Sequence, residues 1–199
     1  RNKRILNMKE NNNPIQIITI QTNNKANNIF NTFLSFYTHK KIKQTEDKFE
    51  YTMVFPDDNK STKVKISYIH NPSQDYPGIT DVNCYILLLD LEQEEIPSKL
   101  NDIIKYMNDY CDENKKIYIL GLTSNKKAKP FLSQKEITNI MDDLSMKYEY
   151  HPMYEDDKKE IADYILQILM YCKYNNVHCD NEEVIYAKDE GVSHSCIII

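Results

Sequence analysis

The stretch VNCYILLLD, residues 82–90, constrains the fold more than any other part of this chain because it is apolar at nearly every position. A strand with one solvated face alternates apolar and polar residues, whereas a continuous apolar run is typical of a strand covered on both faces. Two further runs, IQIITI at residues 15–20 and KKIYILGL at residues 115–122, have the same character. These runs predict a mostly parallel sheet with helices on both of its faces.

The segments between these runs supply the remaining elements. Two alternating stretches within residues 49–70 predict a β-hairpin that adds one antiparallel edge strand, and YEYHPMY at residues 148–154 predicts a sixth strand. Apolar residues at helical spacing predict four helices, over residues 27–38, 96–112, 133–148 and 157–174. Ser133 stands three residues before Glu136, which is the spacing of a capping box at a helix start. The predicted class is therefore α/β with a six-stranded sheet.

Composition excludes several function classes. The formal net charge of −5 gives no reason to expect a nucleic-acid partner, which favours basic faces. No apolar run reaches the roughly 18 residues that a membrane span needs, and we expect no secretory signal. The five cysteines form no C-x-x-C pair, and the histidines show no zinc-like spacing, so we predict a reducing, intracellular and cytoplasmic setting with no metal site.

The polarity of the chain predicts three regions. Residues 1–13 read as a polar N-terminal extension, residues 14–172 as one domain, and residues 173–199 as a flexible C-terminal tail.

The order and length of these segments resemble the Ras superfamily of small GTPases, and its Rab or Rab-like members most. The resemblance covers roughly residues 14–172. It rests on IQIITI as the first strand, KFEYTMVFP and KVKISYIH as the hairpin, YILLLDLEQEE as the fourth strand with its following turn, and IYILGL as the fifth strand. It implies a P-loop NTPase-like three-layer fold, with GTP or GDP and magnesium as the family's ligands.

The phosphate loop of that family reads G-x-x-x-x-G-K-[ST], and here every defining residue of it is replaced. Glycine lets backbone N–H groups curl around phosphates, and lysine offsets phosphate charge. Gln21 and Ala26 stand for the two glycines, Asn27 for the lysine and Asn28 for the magnesium-binding hydroxyl, while Asn24 lies inside the loop.

The other two nucleotide motifs are degenerate as well. In the D-x-x-G motif, His70 replaces the aspartate and Ser73 the glycine, and Gln74 matches the water-orienting glutamine. In the N-K-x-D motif, the positions fall at Leu122, Thr123 and Asn125, so the guanine-reading aspartate is absent. Charge-assisted contacts are worth roughly 1.5–3 kcal/mol each, and micromolar binding needs about −8 kcal/mol. We therefore expect weak or no nucleotide binding and no hydrolysis.

The resemblance with these replacements predicts a Rab-like pseudo-GTPase that acts as a protein-interaction module in membrane trafficking or intracellular transport, with no cofactor. Residues 39–48, residues 71–80 and the tail are the expected partner surfaces. Three alternatives stay open: an active GTPase with diverged motifs, a fixed structural subunit of a large assembly such as a ciliary one, and an unrelated α/β domain.

The chain ends in Cys196-Ile-Ile-Ile, which fits the C-a-a-X prenylation pattern. This predicts peripheral attachment at the cytoplasmic face of a membrane or cilium. The preceding tail is acidic, and a single lipid without a basic patch binds membranes only marginally.

Overall fold

The structure is a computed structural model that describes most of the chain between Pro14 and Asn175. The described residues are 14–22, 26–37, 39–45, 47–56, 60–70 and 81–175. Within them, the strands are β1 (Ile15–Gln21), β2 (His39–Gln44), β3 (Lys48–Val54), β4 (Ser61–Ile69), β5 (Cys84–Asp90), β6 (Lys116–Thr123) and β7 (Tyr148–Tyr154). The helices are α1 (Ala26–Phe36), α2 (Ile96–Tyr110), α3 (Gln134–Met141) and α4 (Lys158–Asn175).

The strands form one sheet in the order β2-β3-β4-β1-β5-β6-β7. The five adjacent strands β4, β1, β5, β6 and β7 run parallel to one another. β3 pairs antiparallel with β4, and β2 pairs antiparallel with β3. The described part of the chain is thus an α/β protein with a mostly parallel mixed sheet, as the continuous apolar strands predict.

Each face of the sheet carries its own hydrophobic core. α1 and α4 cover one face, where Phe30, Phe33 and Leu169 pack together. α2 and α3 cover the other, with Leu100 and Ile137 inside. All seven positions of β5 are buried, which confirms that this strand is covered on both sides.

The helical periodicity correctly identifies most core-facing residues. The apolar residues of α2 recur at the helical period, which predicts that they face the core. All of these predicted positions are buried, and they comprise Ile96, Leu100, Ile103, Ile104 and Met107. The predicted stripe of α4 is also buried, and it comprises Ile161, Ile165, Ile168, Leu169 and Cys172. The capping box at the start of α3 is confirmed, since Ser133 Oγ accepts from the Glu136 N–H and the Glu136 carboxylate accepts from the Ser133 N–H.

The strand count was predicted wrongly. The sheet has seven strands in the described residues, and its one antiparallel strand, β3, lies inside the edge strand β2, whereas the sequence predicts six strands with one antiparallel edge strand. The additional strand is β2, whose sequence HKKIKQ holds a single apolar residue and so carries no strand alternation. It forms through backbone pairing with β3 rather than through an apolar face of its own.

The third helix is shorter than its pattern predicts. α3 ends at Met141, whereas the periodicity continues to residue 148. Asn108 of α2 holds the following turn, because its Oδ1 accepts a hydrogen bond from the Ser145 N–H at 3.0 Å. Among the helices just described, none combines the length and the apolar character needed to cross a membrane.

Candidate functional site at the carboxyl edge of the sheet

The carboxyl ends of β1 and β5 are where a fold of this class places a ligand. In open α/β sheets the binding crevice lies where neighbouring strands send the chain to opposite faces. β1 and β5 are neighbours, β1 leads to α1 on one face, and β5 leads to α2 on the other. We call the ends of β4, β1, β5 and β6, with the residues that directly follow them, the carboxyl-edge crevice.

Gln21 and His70 contact each other directly across this crevice. Gln21 ends β1 with 3% of its surface exposed, and its Nε2 lies 2.7 Å from Nδ1 of His70, the residue that follows β4. Nδ1 accepts this hydrogen bond, so the ring proton of a neutral His70 is on Nε2. That Nε2 lies 3.7 Å from Oδ1 of Asp47, which is beyond hydrogen-bond distance. Two residues that the sequence pattern singled out in separate motifs are thus hydrogen-bonded to each other.

Thr22 joins the end of β1 to the end of β5. Its N–H donates to the Leu88 carbonyl at 3.2 Å, and its Oγ1 accepts from the Asp90 N–H at 3.0 Å. These bonds extend the β1–β5 pairing by one residue beyond Gln21. The hydrogen bonds of Thr22 therefore hold the carboxyl ends of β1 and β5 together at the crevice.

The loops after β5 and β6 are joined in the same way. Glu92 Oε1 accepts hydrogen bonds from the N–H of Ser124 at 3.0 Å and from its Oγ at 2.8 Å. The side chain of Asn125, which the sequence pattern also singled out, makes two hydrogen bonds within the turn after β6. Its Oδ1 accepts from the Lys127 N–H at 2.9 Å, and its Nδ2 donates to Ser124 Oγ at 3.1 Å.

Gly121 is required near the end of β6 by a close approach from β7. A Cβ atom at Gly121 would lie 2.5 Å from Tyr150 Oη and 3.0 Å from Leu91 Cδ1. The Tyr150 ring thus occupies the space beside β6, and its burial raises its pKa to about 12. The sequence offered no signal for this contact, since a lone glycine in a strand has several uses.

The remaining predicted positions are spread around the crevice. Leu122 is fully buried in the core beneath α1 and α4, and Thr123 is 6% exposed with its Oγ1 donating to the Asn125 carbonyl. Ala26 and Asn27 begin α1. Asn28 is exposed and lines a cavity of about 80 Å³ beside α4, whereas ligand pockets usually measure roughly 300 Å³ or more.

Several predictions fall on residues that the structure does not describe. Asn24, Ser73, Gln74 and Cys196 lie outside the described residues, as do residues 71–80 and the tail from residue 176. Residues 1–13, the predicted N-terminal extension, also lie outside them.

Two acidic residues of the crevice were missed by the sequence reasoning. Asp90 is 6% exposed at the end of β5, where its Oδ1 accepts from the Glu92 N–H at 3.2 Å. The other acidic residue is Glu92, and both stand at the end of the long apolar run of β5. A polar residue at the carboxyl end of a buried parallel strand is a usable site signal.

Within the described ranges, no group of three or more histidine, cysteine, aspartate or glutamate side chains is arranged to hold a metal ion.

The crevice side chains whose hydrogen bonds are given above, Gln21, Thr22, His70, Glu92, Ser124 and Asn125, therefore bond chiefly to one another and to nearby backbone groups. Searches with protein-family models and against curated protein sequences gave no match to this chain.

Proposed function

We propose that this chain is a Rab-like pseudo-GTPase, a P-loop NTPase-like domain that acts as a protein-interaction module in membrane trafficking or intracellular transport. β1 and β3 to β7 provide the six strands that the resemblance implies, with β3 as the antiparallel member. β2 is an addition at the edge. The proposal includes weak or absent binding of GTP and no hydrolysis.

The observation that carries the proposal is the hydrogen bond between Gln21 and His70. In a working site of this family, these two positions face the phosphates and the magnesium ion. Here the Gln21 amide donates to His70 Nδ1 at 2.7 Å. A ligand that entered between them would have to replace this bond, and it would find no lysine from Asn27 and no hydroxyl from Asn28.

The charge of the crevice adds to this argument. Asp90 ends β5, Glu92 follows it, and the carboxylate of Asp47 lies beside His70. A triphosphate placed here would meet like charges, which oppose its binding unless cations intervene. The described crevice thus supports a site that has lost its ligand and is maintained by internal contacts.

The edge strand β2 supports the interaction role. It is the outermost strand on its side of the sheet and spans residues 39–44, within the segment 39–48 that we expect to meet partners. The outward backbone groups of an edge strand can pair with an extended segment of another protein.

Nucleotide binding by the purified full chain tests the proposal. The protein is denatured, and any released nucleotide is separated by anion-exchange chromatography. In parallel, GTP and GDP are titrated calorimetrically with and without magnesium, with an active small GTPase as the positive control. We expect no carried nucleotide and no binding in the micromolar range.

A magnesium-dependent dissociation constant tighter than about 1 μM, equivalent to about −8.2 kcal/mol, would overturn the proposal and favour an active GTPase with diverged motifs. Binding of GDP at that strength without magnesium would equally contradict it.

A further inference from the structure

The outer face of β2, β3 and β4 is strongly basic. In β3, Phe49, Tyr51 and Met53 are buried beneath α1, so the alternate residues point to the opposite side of the sheet. In β4, the alternation places Val64 and Ile66 in the same core. The residues on the outward side are exposed or half-exposed. We call this surface the lysine face, and it comprises Lys40, Lys43, Lys48, Glu50, Lys63 and Lys65.

The strand register brings these side chains together. Glu50 lies opposite Lys65 across the β3–β4 pair, and Lys63 lies opposite Thr52. Lys48, Glu50 and Lys65 line a shallow cavity of about 120 Å³. Residues paired across antiparallel strands share one face, so these lysines form an array with strands about 4.8 Å apart.

A β-bulge in β2 adds two more lysines to the same face. Lys40 pairs with Thr52 and Lys43 pairs with Glu50, with a register shift between Lys41 and Lys43. Residues three apart in a regular strand point to opposite faces. The extra residue of the bulge therefore turns Lys43 to the side that already carries Lys40.

Glu50 is the single acidic residue among these six. Lys63 Nζ lies 3.0 Å from its carboxylate. The hydrogen bond from Lys63 and the nearby charges of Lys65 and Lys43 lower the pKa of Glu50. Five lysines thus share the face with one carboxylate in a chain whose formal net charge is −5, so the rest of the molecule is markedly acidic.

The chemistry of the face selects among anionic partners. A tight protein interface needs a buried apolar or aromatic centre, and single-stranded nucleic acid needs aromatic rings on which bases stack. Among the residues whose burial the structure describes, the lysine face has neither, and the exposed apolar side chain on its side of β3 is Val54 at the hairpin end. An anionic lipid surface, by contrast, is held by charge alone.

We propose that the lysine face docks on an anionic phospholipid bilayer. The proposal does not depend on whether the carboxyl-edge crevice binds nucleotide, because it uses a different surface. The lysines are spread over three strands, and the cavity that Lys48 and Lys65 line measures about 120 Å³, which suits a broad charged surface better than one bound headgroup.

The path of the chain fits this orientation. Lys173 Nζ lies 4.4 Å from the ring centroid of Phe55, so the last turn of α4 sits beside the turn between β3 and β4. The described chain therefore ends near the same hairpin end that the lysine face reaches, although α4 itself packs on the other face of the sheet. A single prenyl chain needs a second signal for stable anchoring, and the lysine face supplies the basic one that the acidic tail lacks.

Vesicle cosedimentation of the purified, unlipidated full chain tests the proposal. Vesicles of phosphatidylcholine alone are compared with vesicles that also contain phosphatidylserine. Each lysine contributes about fivefold to partitioning near such a surface. We expect binding only to the phosphatidylserine vesicles and a loss of about 25-fold for Lys43→Gln/Lys65→Gln. Binding should weaken as salt is raised, because salt screens surface charge.

Two further variants make the test directional. Lys127→Gln/Lys158→Gln removes the same charge from exposed positions outside the face and should lose less than about twofold. Glu50→Gln makes the face more basic and should raise partitioning about fivefold. Circular dichroism and thermal unfolding verify that each variant is folded.

Equal binding to both kinds of vesicle, equal losses in the two double variants, or insensitivity to salt would overturn the proposal. It would also fail if phosphatidylserine vesicles were not bound while single-stranded RNA or polyglutamate bound through the same lysines.

Discussion

Replacing Gln21 with alanine removes the amide that joins the ends of β1 and β4. The side chain is 3% exposed, and its bond to His70 measures 2.7 Å. A neutral hydrogen bond contributes roughly 0.5–1.5 kcal/mol, and the loss of buried contacts adds to it. The His70 side chain is 30% exposed as a whole, while its Nε2 is buried without a hydrogen-bond partner. We expect Gln21→Ala to lower the free energy of unfolding by about 1–2 kcal/mol.

A double-mutant cycle isolates the contact. The free energy of unfolding is measured in urea by circular dichroism and tyrosine fluorescence for the native chain, Gln21→Ala, His70→Ala and the double variant. The coupling energy should be about 1 kcal/mol. A change of this size in the free energy of unfolding corresponds to a shift of about 2–4 °C in the midpoint of thermal unfolding of a domain of this size. Gln167→Ala, at an exposed position of α4, is the matched control and should be near neutral. A coupling energy below about 0.3 kcal/mol, within the error of additivity, would refute the account of the crevice given above.

Three further perturbations probe other parts of the fold. Gly121→Ala should lower the free energy of unfolding in urea by about 1–3 kcal/mol, because the added Cβ meets Tyr150. The loss should be smaller in a Tyr150→Phe background, and an increase in the free energy of unfolding would contradict this prediction. The pKa of Glu149 is lowered chiefly by its hydrogen bond from Lys116, so this stabilisation is present above about pH 4.5 and is lost as the pH falls through the lowered pKa. Lys116→Gln should therefore cost up to about 1 kcal/mol at neutral pH and progressively less in acid, as followed by urea unfolding across a pH series; a cost independent of pH would count against the pair. Burial raises the pKa of the Cys84 thiol, so iodoacetamide should label it far more slowly in the native protein than in urea, and equal labelling rates by peptide mass spectrometry would disprove its protection.

The elements of this fold were predictable where one local pattern repeats. β5 is apolar at every position but its last, and α4 carries apolar residues at the helical period, so each specifies its own burial. β2 was missed because nothing in HKKIKQ specifies a strand. Its conformation depends on β3, which supplies the hydrogen-bond partners, and its bulge depends on that pairing too.

In the crevice, too, single positions were predictable from the sequence, whereas the contacts between them were not. Positions 21 and 70 were singled out as members of two separate motifs, yet their contact was not anticipated. The two residues are 49 positions apart, and they meet only because β1 and β4 pair in parallel and end together. Likewise the hydrogen bonds from Ser124 to Glu92 depend on the pairing of β5 with β6, which no short segment encodes.

The separation of the two cores also sets the order in which a growing chain can complete them. The core beneath α2 and α3 draws on residues 18–146, whereas the core beneath α1 and α4 needs residues as late as Cys172. At roughly 5–20 residues per second, synthesis reaches α4 about ten seconds after α1. During that interval Phe30 and Phe33 have no helix to cover them, so the nascent chain should be a client of ribosome-associated chaperones until α4 emerges.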